Sequence, residues 1–170
     1  LARFAATWGV HVDFVDTTAP GAVRAALRAE TKLVWFETPA NPTWDVTDIA
    51  AIADLAHARG ARVAVDSTCA TPVHTRPLAL GADLVMHSAT KYLNGHSDVM
   101  AGTVTTARND EFWRRIVAER SGGGAIMGGF EAYLLLRGMR TLYLRVERAC
   151  RSAETIAAAL AGNPNVAAVL

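Results

Sequence analysis

The 170-residue sequence is poor in cysteine, in long apolar runs and in charge of one sign, and each shortage removes a class of protein. Its two cysteines, Cys69 and Cys150, stand far apart, without CxxC spacing or a nearby histidine pair. A disulfide framework or a metal site is therefore not expected, and a reducing cytoplasm is the expected compartment. No apolar run approaches the roughly 18 residues that span a bilayer. Seventeen Lys and Arg are interspersed with sixteen Asp and Glu, for a formal net charge of +1. That balance offers neither a basic stripe for nucleic acid nor a polybasic membrane patch. Leu1-Ala2-Arg3-Phe4 carries no initiator Met and no signal-peptide pattern, so the chain is expected to begin in mid-protein or after processing. What remains is 51% hydrophobic and 19% charged, the balance of a soluble globular chain long enough for one domain with a core.

Apolar patterning alternates between strand-like and helix-like segments. Val10–Val15 alternates as a short strand, and Ala22–Ala29 reads as a helix. Leu33–Phe36, Arg62–Asp66 and Asp83–His87 are short apolar runs of the kind buried on both sheet faces, and Thr103–Thr106 is a weaker strand. A helix is predicted over Val46–Arg59, with Ile49, Ile52, Leu55 and Ala56 on one face, Asp45 or Thr47 as its cap and Gly60 as its left-handed stop. Further helices are predicted at Asn109–Glu119, Phe130–Leu136 and Leu142–Ala161. The last has an apolar face of Val146, Cys150, Ala153, Ile156 and Leu160. Strands alternating with helices predict a mostly parallel α/β sheet whose ligand site lies at the carboxyl ends of the strands. The glycines at 122–124 and 128–129 match no phosphate-loop pattern and read as a turn between helices.

Three polar clusters follow three predicted strands: Glu37-Thr38-Pro39-Ala40-Asn41-Pro42, Asp66-Ser67-Thr68 and Ser88-Ala89-Thr90-Lys91. A parallel sheet brings such ends to one rim. A cofactor with several polar handles fits that convergence, and pyridoxal 5′-phosphate (PLP) has them. Its phosphate arm and aldehyde are on adjacent ring carbons, which suits the neighbours Ser88, Thr90 and Lys91. Its ring nitrogen lies across the ring and needs a carboxylate from another strand, which Asp66 can supply. Asn41 is a candidate donor to the ring hydroxyl.

The run Asp83-Leu84-Val85-Met86-His87-Ser88-Ala89-Thr90-Lys91-Tyr92-Leu93-Asn94-Gly95-His96-Ser97 resembles the PLP-attachment motif of the Cys/Met-metabolism enzymes. Glu37–Pro42 and Leu134–Leu142 are similar to two companion segments of that family, in the family's order. The family holds cystathionine γ-synthase, cystathionine γ-lyase, methionine γ-lyase and the homoserine-ester sulfhydrylases. The resemblance implies a three-layer, mostly parallel α/β sheet of the aspartate-aminotransferase-like fold (fold type I), of which these residues would form only the large-domain portion. It further implies that Lys91 holds the cofactor as a Schiff base and that Asp66 pairs with the pyridine nitrogen. Thr68 would pack on a ring face, Ser88 and Thr90 would hold the phosphate, and Asn41 would lie near the ring oxygen. Residues 1–145 would belong to the PLP-binding domain, and 146–170 to a helix leading toward a small domain. The implied activity is γ-elimination or γ-replacement on sulfur amino acids or O-acyl-homoserines, by a homo-oligomer built as a dimer of dimers. One departure is Asp66-Ser67-Thr68, where many members carry Asp-Asn-Thr. The family's glycine loop, its ring-stacking aromatic and its Tyr/Arg pair would precede Leu1, and its carboxylate-binding arginine would follow Leu170.

Each residue also has a plainer role open to it. Asp66 can be a turn or cap residue, Ser88 and Thr90 turn hydroxyls, and Asn41 a turn former before proline. Glu37 can be a buried acid satisfied by backbone donors, and His87 and His96 structural hydrogen-bonders. Two rival functions stay open at this level: a PLP-dependent aminotransferase or β-lyase on the same fold, and a non-catalytic α/β fragment.

Overall fold

The computed structural model describes residues 2–169. Four strands form one sheet in the order β1-β2-β3-β4: β1 Leu33–Glu37, β2 Arg62–Asp66, β3 Leu84–Ser88 and β4 Gly102–Thr105. The first three run parallel and β4 returns antiparallel against β3. Among the described residues seven α-helices accompany them: α1 Ala2–Thr7, α2 Pro20–Ala26, α3 Ile49–His57, α4 Thr71–His74, α5 Glu111–Gly123, α6 Gly129–Met139 and α7 Leu142–Ala161. A short 3-10 turn at Pro77–Leu80 leads into β3.

The strand register decides which side chains are buried together. Val34 pairs with Val63 and Phe36 with Val65, so all four project from one face. Val23 of α2 and Ile49, Ile52, Ala53 and Ala56 of α3 close over that face. Ile52, Val23, Val63 and Val65 are fully buried. Burial of this kind contributes about 1.5–3 kcal/mol per side chain. The opposite face is barer at the sheet's two edges: Trp35 is 52% and Leu33 46% exposed on β1, and Val104 is exposed on β4.

Several expectations are corrected. Val10–Val15 is extended but pairs with no strand among the described residues. Alternation alone does not make a strand when no neighbour offers a ladder. Here Asp13 bonds His11 and Arg28 instead, and Val15 lies against the α2–α3 core. The cap of α3 is Asp48, whose carboxylate accepts the Ala51 N–H at 3.0 Å. Thr47 is buried, and its N–H donates to the Thr38 hydroxyl at 3.0 Å. Gly60 has φ +71°, as a left-handed stop requires. Helix α5 runs through Gly122 and Gly123 and ends on Gly124, which is left-handed at φ +74°. Glycine 128 caps α6. Helix α7 has the expected bounds, but its apolar face is covered only as far as Val146 and half-buried Cys150, leaving Ile156 59% exposed.

At the amino ends of the strands, Asp83 ties three segments together. Its Oδ2 accepts the Val63 N–H at 2.8 Å and His57 Nε2 at 2.9 Å, and Arg62 approaches Oδ1 at 3.4 Å. Arg62 continues to Asp110 at 3.1 Å and lies 4.3 Å over the Phe112 ring. Burial by itself would raise the Asp83 carboxyl, but the bonds from His57 and Val63 and the charge of Arg62 hold it below the ordinary value of 3.8. A folded-state value below the unfolded one makes the ionised group stabilising above about pH 4, and that contribution is lost as the pH falls through the folded value. Asp83→Asn should therefore flatten the acid limb of stability below pH 4, as measured by denaturant unfolding across pH 2.5–5. An unchanged acid limb would show that other carboxylates set it.

Candidate cofactor site

The carboxyl ends of β1, β2 and β3 lie side by side, because Glu37 pairs with Asp66 and Asp66 with Met86. In a parallel sheet every strand presents the same end to one edge, so the three polar clusters share it.

Asp66 is half-buried at the end of β2. Its Oδ1 accepts both the Thr68 N–H at 2.9 Å and the Thr68 hydroxyl at 2.5 Å. The chain therefore turns back on its own carboxylate, and Oδ2 has no hydrogen-bond partner among the described residues. Thr68 does more than close this turn. Its hydroxyl oxygen also accepts the Ser88 N–H at 2.8 Å, which joins the end of β2 to the end of β3. Thr68→Val removes the one group that satisfies that N–H and should cost about 1–3 kcal/mol in chemical denaturation, whereas Thr68→Ser should cost less than 1 kcal/mol. Equal losses in both variants would show that the hydroxyl bridge is not what stabilises this edge.

Lys91 follows β3 in a tight turn. Its N–H donates to Ser88 O at 3.1 Å, and its carbonyl accepts the Gly95 N–H at 2.7 Å. Backbone atoms are thus fixed while the side chain is exposed. The Thr90 hydroxyl donates to Ala101 O at 3.3 Å and accepts the Ala101 N–H at 2.9 Å, which pins the turn to the start of β4. Ser88 leaves its hydroxyl without a partner among the described residues. Asn41 sits in the loop after β1, exposed, and its side chain bonds none of the other candidate residues.

An open cavity of about 910 Å3 adjoins Lys91 and is bordered by Thr90, Tyr92, Asp98, Val99 and Arg145. Asp66, Thr68, Ser88 and Asn41 do not border it. The geometry therefore brings Asp66, Thr68, Ser88 and the Lys91 turn together along the sheet edge, with Asn41 less closely tied.

Neighbouring groups set the local charge. Burial pushes the Cys69 thiol up, with help from Glu37 and Asp66, so it stays protonated. Cys69 Sγ approaches Glu37 Oε1 at 4.0 Å, and no backbone donor reaches that carboxylate among the described residues. Burial pushes the His87 imidazole down against the opposing pull of Asp66, which keeps it neutral. His87 Nε2 has no partner among the described residues, whereas His96 Nδ1 donates to Asn94 O at 2.7 Å.

The donor set fits PLP by its chemistry: a carboxylate with one free oxygen, a free serine hydroxyl, and a primary amine on a fixed turn. The model of the Cys/Met metabolism PLP-dependent enzymes matches residues 1–170. The chain belongs to that family. The L-methionine γ-lyase of Porphyromonas gingivalis is 52% identical over 95% of this chain and 41% of its own length. The cystathionine γ-synthase of Mycobacterium leprae is 44% identical over 96% of this chain and 42% of its own. Among solved structures, the cystathionine γ-lyase of Lactobacillus plantarum superposes with a TM-score of 0.92 at 40% identity, over 95% of this chain and 42% of that one. The chain thus spans about two fifths of the length of the curated relatives it matches. Membership brings the family's cofactor, PLP, and the mostly parallel sheet with flanking helices agrees with a portion of a fold type I large domain. No helix among the described residues is long and apolar enough to cross a membrane.

Proposed function

We propose that the full-length protein eliminates or replaces a γ-substituent on a sulfur amino acid or an O-acyl-homoserine, with PLP held at the β1–β3 edge. The observation that carries this is the shared edge itself, which sets the Asp66 carboxylate, the Ser88 hydroxyl and the Lys91 amine on two adjacent strand ends tied by Thr68. When bound, the cofactor supplies an electron sink for the carbanion left at the substrate α-carbon. Asp66 would hold a proton on the ring nitrogen, and Ser88 would donate to the phosphate. Thr90 would join it there by turning its O–H from Ala101 O while still accepting the Ala101 N–H. Thr68 would orient Asp66 and pack on the ring, and Asn41 would donate to the ring oxygen. Lys91 would hold the aldehyde, and its amine Nζ, once free, would act as the base that takes the substrate α-proton.

We place residues 1–145 in the cofactor-binding domain and 146–170 on the path to a smaller one, the division falling within the first turn of α7. Assembly as a dimer of dimers is supported by the apolar side chains left uncovered on β1 and α6, among them Trp35, Phe130 and Tyr133. A cytoplasmic setting is supported by the unpaired Cys69 and Cys150.

Product analysis of the full-length protein tests the reading. Methionine or cystathionine should yield thiol, ammonia and an α-keto acid, or O-acyl-homoserine with cysteine should yield cystathionine. A keto acid that keeps the whole substrate side chain would mark an aminotransferase, and cleavage at the β-carbon a β-lyase. Either outcome overturns the proposal.

A further inference from the structure

The segment Leu134–Leu142 holds none of the groups assigned to PLP, yet it packs on the turn that carries Lys91. Leu93 of that turn is buried with Leu135, Leu142 and Val146. At Gly138, an added Cβ would lie 2.2 Å from the backbone oxygen of Asn94, so the end of α6 touches the turn backbone directly. Just beyond, on the first turns of α7, stands Arg145.

Every hydrogen bond of the Arg145 guanidinium joins this corner together. Nη1 donates to Tyr92 O at 2.9 Å, and Nη2 to Leu93 O at 3.5 Å and Gly138 O at 2.9 Å. Nε donates to the Thr141 hydroxyl at 3.0 Å, which itself donates to Gly138 O at 3.1 Å. Tyr92 and Leu93 directly follow Lys91, and a planar fork with five donors in fixed directions suits carbonyls on two elements at once. Gly95 makes room for it: φ is +72°, and an added Cβ would lie 2.0 Å from Arg145 Nη1. On the other side of the turn, the Thr90 hydroxyl bonds both backbone groups of Ala101.

We propose that Arg145 is a positioning residue for Lys91, holding the turn so that an exposed amine emerges from a fixed backbone. The inference rests on the reading of Lys91 as the reactive amine. A group that must bind one atom and move a proton at another tolerates little drift, and a misplacement near 1 Å can cost about 10²-fold in rate.

The test uses the full-length holoenzyme with Arg145→Ala and Arg145→Lys. The lysine variant keeps the charge and the helix propensity and guards against a failure to fold. In the apo forms, hydrogen exchange at the Asn94 and Gly95 amides should accelerate at least tenfold, while Val65 and Val85 in the sheet stay protected. In the holo forms, kcat should fall about 10–100-fold with KM within threefold, and the pH titration of the cofactor's visible absorbance should shift. Wild-type exchange at Asn94 and Gly95 overturns the clamp. Exchange that rises equally in β2 and β3 overturns it too, by showing a general structural role. Lys91→Ala separates the two readings: wild-type turnover there removes the amine assignment, whereas lost turnover there with an indifferent Arg145→Ala removes only the clamp.

Discussion

Lys91→Ala in the full-length protein is expected to abolish the visible absorbance of bound PLP and to lower turnover by at least about 10³-fold. The size follows from two roles lost together. A positioned general base contributes about 10²–10⁴-fold, and the covalent link to the aldehyde disappears as well. Among the described residues, the nearby nitrogen groups are already engaged. His96 Nδ1 is committed to Asn94 O, and the Arg145 guanidinium is spent on four backbone and hydroxyl acceptors. Because Lys91 is exposed and its side chain makes no hydrogen bond or ion pair among the described residues, the substitution should leave the unfolding free energy of the apoprotein within about 0.5 kcal/mol of wild type. Absorbance spectra, initial rates and denaturation curves check these points. Turnover at the wild-type rate would sink the assignment.

Asp66→Asn is expected to retain the fold and the cofactor but to lower kcat by about 10²–10³-fold. Asparagine keeps an oxygen where Oδ1 accepts the Thr68 N–H and hydroxyl, so the turn at the end of β2 survives. What goes is the negative charge that keeps a proton on the ring nitrogen and so makes the ring an electron sink. Removal of one preorganised electrostatic partner has about this effect in other active sites. Cofactor content by absorbance and kcat by steady-state kinetics separate the two effects. A variant that is as fast as wild type would return Asp66 to a plain turn role.

Much of the sheet was legible because buried parallel strands write short continuous apolar runs. Arg62–Asp66 is a strand over its expected length, and β3 and β4 each differ by one residue. Val10–Val15 misled because pairing depends on a neighbour that lies elsewhere in the chain. The cap at Asp48 was misplaced because Asp45, Thr47 and Asp48 are all cap-forming types, and only the bond between the Thr47 and Thr17 hydroxyls shows that Thr47 is already committed. On α7 the apolar stripe was read correctly as a pattern, yet Ile156 finds nothing to pack against in a chain that spans about two fifths of its relatives.

The candidate site divides in the same way. That Lys91, Asp66 and Ser88 share one edge was legible because each stands at or just after the end of a parallel strand, while their roles toward PLP are part of the proposal. The double role of the Thr68 hydroxyl was not, since a contact between strand ends 20 residues apart depends on register. Arg145 escaped for a similar reason. It is one of many arginines on helical surfaces, and its importance lies in carbonyls 52 and 53 positions away.

The Thr68 bridge has one more consequence. The span between Asp66 and Ser88 is set by adjacent paired strands and a two-residue step along one of them, about 8 Å between Cα atoms from strand geometry alone. That span acts as a ruler cut into the sheet, and insertions in the surrounding loops cannot change its length. Loops around this edge can therefore vary in length without altering the distance between the two side chains proposed to hold the cofactor.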